Sequence, residues 1–134
     1  MNERKRIEAA LLLEGLDDML HLGWMERTTR VVTGRDRQDS EVLNLTLEAI
    51  YHLLKVGYAG VGNTVRDERG MLSVAYWDSS PDAVIAEIRN RLEATEDPAN
   101  REFIAWLELT DKGREEAERL DGEGCDPFKL SDAG

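Results

Sequence analysis

Ile104 to Leu120 reads I-A-W-L-E-L-T-D-K-G-R-E-E-A-E-R-L, and within it the chain changes from a strand pattern to a helix pattern. The first half alternates apolar and polar residues, with Ile104 and Trp106 as inward positions and Leu107 and Leu109 as further ones. Thr110 ends the alternation. Its hydroxyl suits a helix N-cap, where it accepts a hydrogen bond from a free backbone N–H of the first turn. Asp111 then sets negative charge at the positive end of the helix dipole. A strand over 103–109 therefore feeds a closing helix that carries the acidic run E-E-A-E at 115–118.

Working outward, residues 3–22 place Ile7, Ala9, Leu12, Leu13, Leu16, Met19 and Leu20 at helical spacing, with Gly23 as the expected stop. R-T-T-R-V-V at 27–32 suits a short strand or a helical turn, and T-G-R-D-R-Q-D-S at 33–40 reads as a loop. A second helix is expected over 41–56, capped by Ser40 and stopped by Gly57, with an apolar stripe wide enough for burial on more than one side. L-E-G-L-D-D-M-L-H-L-G-W at 13–24 matches L-E-A-I-Y-H-L-L-K-V-G-Y at 47–58, which fits two helices that each end in Gly plus an anchoring aromatic. Residues 58–65 and 71–77 read as a β-hairpin with Gly70 near its loop. Ser80, Pro81 and Asp82 open a helix that runs to about residue 96. A loop follows at 95–100, and the chain from Gly122 onward reads as a flexible acidic tail on a single domain spanning 1–121.

The order of elements and the junction L-T-D-K-G-R at 109–114 resemble winged-helix domains of the MarR and PadR type, whose last wing strand runs through L-T-x-x-G-[RK] into a closing helix. That resemblance implies an α+β fold with helices packed on a small antiparallel sheet and helix 41–56 in the recognition-helix slot. The chain departs from that pattern in an extra strand and the 80–96 helix, which intervene between the wing strands where an ordinary wing has a short loop. The layout of Trp77, Asp78 and Pro81 followed by Trp106 to Gly113 is similar to that of uncharacterised actinobacterial proteins and implies no function.

A chain of 134 residues with 41% apolar and 34% charged side chains reads as one soluble globular domain rather than a disordered chain. The apolar N-terminal stretch is broken by Glu8, Glu14, Asp17 and Asp18, so it fits neither a leader nor a membrane span, and a cytoplasmic location is expected. The lone Cys125 agrees with a reducing compartment. Net charge is −11, and residues 81–134 carry 15 acidic against 7 basic side chains. Binding of nucleic acid needs a basic stripe that releases counterions from phosphates.

The only local basic bias is Arg27, Arg30, Arg35 and Arg37, offset by Asp36 and Asp39. With Lys55, these are the candidate DNA contacts. The remaining exposed face expected for helix 41–56 (Glu41, Asn44, Thr46, Glu48, His52) offers little to base edges. G-Y-A-G-V-G at 57–62 leaves a helix and enters a strand, the reverse of a phosphate-binding loop. His21, His52 and Cys125 lie too far apart in pattern to form a metal site. Ser79 and Ser80 fit a helix cap better than a nucleophile, so no catalytic residues, metal or cofactor are expected.

Among the aromatics Trp24, Tyr58, Tyr76, Trp77 and Trp106, core anchoring is the simplest role. Trp24 and Trp77 are the candidate anchors for a protein partner, with Glu115, Glu116 and Glu118 steering a basic surface toward them. The sequence thus points to a non-enzymatic interaction protein, of which an immunity protein or antitoxin blocking a cationic nuclease is one concrete form. A winged-helix DNA-binding regulator is the alternative, and a homodimer is compatible with both.

Overall fold

The computed structural model describes residues 1–129. Helix α1 (Glu3–Gly15) leads through strand β1 (Leu20–His21) into α2 (Leu22–Thr33) and α3 (Asp39–Lys55). Strands β2 (Ala59–Arg66) and β3 (Leu72–Tyr76) form a hairpin, followed by α4 (Pro81–Ala94) and the short α5 (Pro98–Arg101). Strand β4 (Trp106–Leu109) and α6 (Asp111–Gly122) close the described chain. The fold is α+β. Its antiparallel sheet has the order β1-β4-β2-β3, so the late strand β4 inserts between two early ones and β3 becomes an edge.

Several expectations shift. The helix expected over 3–22 stops at Gly15, and Gly23 lies in the first turn of α2 instead of ending a helix. Tertiary pairing overrides local periodicity here, because Leu22 N–H donates to the Ala105 carbonyl and Gly23 N–H to the Glu102 carbonyl, both at 3.1 Å. R-T-T-R-V-V is helical throughout. Ser40 sits inside α3, whose N-cap Gln38 makes no side-chain cap bond. Part of the expected 95–100 loop is α5, and the 103–109 strand shortens to β4. Ser80 caps α4 as expected, accepting from Ala83 N–H at 3.2 Å.

The core is built from Ile7, Leu11, Leu22, Met25, Leu47, Ile50, Leu53, Ile88 and Leu107, all almost fully buried. Helix α3 packs against α1, α2, α4 and β2, as its wide stripe requires. Thr46, expected on its exposed face, is buried. Its hydroxyl lies 2.7 Å from that of Thr29 and donates to the Val42 carbonyl, so the polar groups satisfy one another inside the core.

The opening motif has a physical basis in how α6 docks. Thr110 Oγ1 accepts from Gly113 N–H at 3.1 Å and donates to the Gly57 carbonyl at 2.6 Å. Thr110 N–H reaches the Tyr58 carbonyl at 3.0 Å. A Cβ on Gly113 would lie 1.8 Å from that carbonyl oxygen, so the position admits only glycine without movement. The tail begins with contacts, since Pro127 is buried and Arg6 donates to the Pro127 and Lys129 carbonyls at 3.2 Å. The rest of the expected tail, 130–134, lies outside the described residues. No helix among the described residues is long and apolar enough to cross a membrane.

Candidate functional site

The phase of β4 decides where the aromatic residues go. Leu107 and Leu109 enter the core, so Trp106 and Glu108 face the opposite side, the reverse of the inward position expected for Trp106. In a strand, moving the inward set by one residue exchanges the two faces. Ladder partners share a face, and the register sets His21 opposite Trp106, Trp106 opposite Gly62, and Gly62 opposite Tyr76. A row of aromatic rings therefore crosses the side of the sheet turned away from the core.

Small residues make room for that row. The Tyr76 ring lies across Gly60, where a Cβ would come within 2.7 Å of it. Tyr76 Oη donates to Glu108 at 3.0 Å, and burial followed by this carboxylate pushes the phenol pKa up to about 12. Phe103 extends the row, with its ring centroid 4.7 Å from His21 and 6.0 Å from Trp106. It is 52% exposed, a large apolar area left open to solvent despite those ring contacts.

At the β1 end, this row borders a cleft of about 400 Å³ lined by Glu14, Asp17, Asp18, Met19, Leu20, His21, Trp24 and Trp106. Trp24 is 44% exposed yet held in place. Its Nε1–H donates to Glu14 Oε2 at 2.6 Å, while the Thr28 hydroxyl donates to Glu14 Oε1 at 2.5 Å. His21 Nδ1 accepts from Trp24 N–H at 3.1 Å and so caps α2 in its neutral form. Burial, then the positive charge of Arg27, lower its pKa against the opposing pull of Glu102. Asp17 and Asp18 are exposed and meet no cation within salt-bridge distance among the described residues.

The candidate DNA contacts are placed differently. Arg30 donates to the Arg37 carbonyl at 2.9 Å and pairs with Asp39. Arg37 pairs with Glu3 at 2.7 Å and Glu41 at 3.5 Å. Arg27 sits 3.4 Å from Glu102 and 5.4 Å from the Trp24 ring centroid. Arg35 is exposed, and Lys55 lies 6.0 Å over the Tyr51 ring. The basic stretch of the sequence is thus largely consumed by the fold.

The candidate protein contacts also separate. Trp77 packs on the core under the Arg91 guanidinium, 4.5 Å from its ring centroid, and its buried Nε1–H has no acceptor among the described residues. Glu116 is held by Arg119 at 2.5 Å, and this bond keeps its carboxyl pKa below the usual value. Glu115 and Glu118 are exposed and lie outside the cleft lining. Trp77 lines a separate cleft beside Tyr76, whereas Trp24 shares its cleft with His21 and Trp106. His21, Phe103 and Trp106 complete that cleft's surroundings, and Glu14, Asp17 and Asp18 supply its charge. The tripeptide L-D-D at 16–18, two carboxylates where a helix was expected to continue, was the available signal.

A second cleft of about 500 Å³ lies between α1, α3 and α4 and includes Arg4, Tyr51, His52, Lys55 and Arg89. His52 Nδ1 contacts the carboxylate of buried Glu8, which also accepts from Arg4 Nε at 3.1 Å. Its lining contains no Ser, Thr or Cys to act as a nucleophile. Among the described residues, no group of three or more His, Cys, Asp or Glu is placed to hold a metal ion.

Compared with family models, with characterised proteins and with solved structures, the chain matches none.

Proposed function

We propose that this protein is a non-enzymatic interaction module of winged-helix-like type that docks a basic protein partner at the cleft between β1, the end of α1 and α2. The observation that carries this is the pairing of an exposed, pre-oriented Trp24 with Trp106 and the carboxylates Asp17 and Asp18, which have no cationic partner among the described residues. Trp is frequent among the residues that dominate interface energies, and a rigid ring loses little freedom on binding. Cations also bind well over indole faces, as Arg27 already does on Trp24. The strand order β1-β4-β2, with β1 between α1 and α2 and β2 directly after an α3 that packs on several sides, supports the winged-helix assignment. The self-pairing of Arg30 and Arg37 favours a protein partner over DNA.

The test uses an arginine-rich peptide as probe, titrated into the full chain with tryptophan fluorescence as the readout. Saturable binding that weakens with salt and is lost in Trp24→Ala supports the assignment. Binding unchanged by Trp24→Ala and by Asp17→Lys with Asp18→Lys would sink it. Titration of a mixed-sequence duplex at low salt, followed by anisotropy, separates the two classes of partner. DNA binding there would instead support a regulator.

A further inference from the structure

Strand β3 is the edge of the sheet, and its backbone phase decides what that edge displays. Trp77 N–H donates to the Val61 carbonyl at 2.9 Å, and Asp67 N–H to the Met71 carbonyl at 3.0 Å. In an antiparallel ladder, residues that exchange bonds with the neighbour alternate with residues that do not. Ser73 and Ala75 are in phase with Met71 and Trp77, so they bond β2. Leu72, Val74 and Tyr76 turn their N–H and C=O groups outward, and no described residue meets them. Edges of natural sheets are usually protected by charge, proline, bulges or a cover. M-L-S-V-A-Y-W at 71–77 carries neither charge nor proline, and its Leu72 and Tyr76 are 45% and 47% exposed.

We infer that this edge pairs with the same edge of a second copy of the chain, antiparallel about a two-fold axis at Val74. That register sets Val74 opposite its own counterpart and Leu72 opposite Tyr76 of the second copy. Every outward-facing residue then meets another outward-facing residue, so all their backbone groups are bonded. Leu72 and Tyr76 become cross-strand neighbours on one face, the arrangement in which aromatic and aliphatic pairs stabilise sheets. The self-complementary register, with one opposite-charge pair across it, points to a second copy as the occupant. Elsewhere two copies of net charge −11 repel, but this strand is neutral. Extending the same register brings Gly70 opposite Asp78 of the second copy. Arg66, which donates to the Gly70 carbonyl at 2.9 Å, then faces that carboxylate.

Sedimentation velocity of the full chain over about 1 µM to 1 mM gives the test. The expected result is a concentration-dependent dimer. Val74→Pro removes an outward N–H, together with a buried valine side chain, and should weaken the dimer by about tenfold or more. Leu72→Lys, at an exposed side chain, should do the same and decides the matter if circular dichroism shows that Val74→Pro disturbs the fold. A chain that stays monomeric throughout overturns the inference. So does a dimer that a folded Leu72→Lys variant leaves unchanged.

Discussion

The corner between α2 and α3 and the cleft beside β1 carry opposite formal charge, yet they differ more in what those charges already hold. At the corner, Arg30 and Arg37 are spent on Asp39, Glu3, Glu41 and a backbone carbonyl, and they join the start of α1 to the start of α3. At the cleft, Glu14 is spent orienting Trp24, but Asp17 and Asp18 face water beside two indole rings. Composition counts both sets alike. Availability for a partner depends on which charges the fold leaves unmatched.

The largest way to break this contrast is Trp24→Ala. An anchoring aromatic of this kind is worth about 2 kcal/mol in binding, so affinity for the arginine-rich probe should fall by about thirtyfold. Circular dichroism should show the fold retained. Next, Asp17→Lys with Asp18→Lys should weaken the probe by about tenfold at low salt and by less at high salt, because the interaction is screened. Reversing the logic, Arg30→Ala and Arg37→Ala should leave probe binding unchanged. Each should lower stability in chemical denaturation by no more than about 1 kcal/mol, as expected of partly exposed ion pairs.

The smallest effect concerns His21. Its folded pKa lies below the ordinary 6.5, so the unfolded chain binds the extra proton first as pH falls. The stability linked to this residue is therefore complete above that range and is lost as pH drops below 6.5 toward the lower folded value. His21→Asn keeps a capping acceptor and removes the titration. The fall in melting temperature between pH 7.5 and 5.5 should be shallower in that variant, and an identical slope would remove His21 from the account.

Much of the fold was legible locally. The Thr110 cap, the Ser80–Pro81 start of α4 and the hairpin around Gly70 all depend on interactions within a few residues, where side-chain chemistry and backbone geometry act directly. The first helix ends earlier than its pattern predicts: Leu16 to Leu20 keeps helical spacing, while the force that ends it comes from residues far along the chain. The 102–107 segment takes up the Leu22 and Gly23 N–H groups and pairs with Leu20 and His21. The face of Trp106 differs from its expected one for a related reason. The run W-L-E-L has leucines in one phase and tryptophan in the other, so both assignments satisfy alternation until packing chooses between them.

The sequence by itself determined the α+β class, the capping of its late helices and the excess of acid, because these follow from composition and from contacts between near neighbours. Tertiary structure alone decided that β4 inserts between β1 and β2, that the arginines around residue 30 pair with carboxylates on α1 and α3, and that Trp24 and Trp106 share one cleft. Those outcomes depend on which distant residues meet, and burial of the leucine face sets that choice for the chain as a whole.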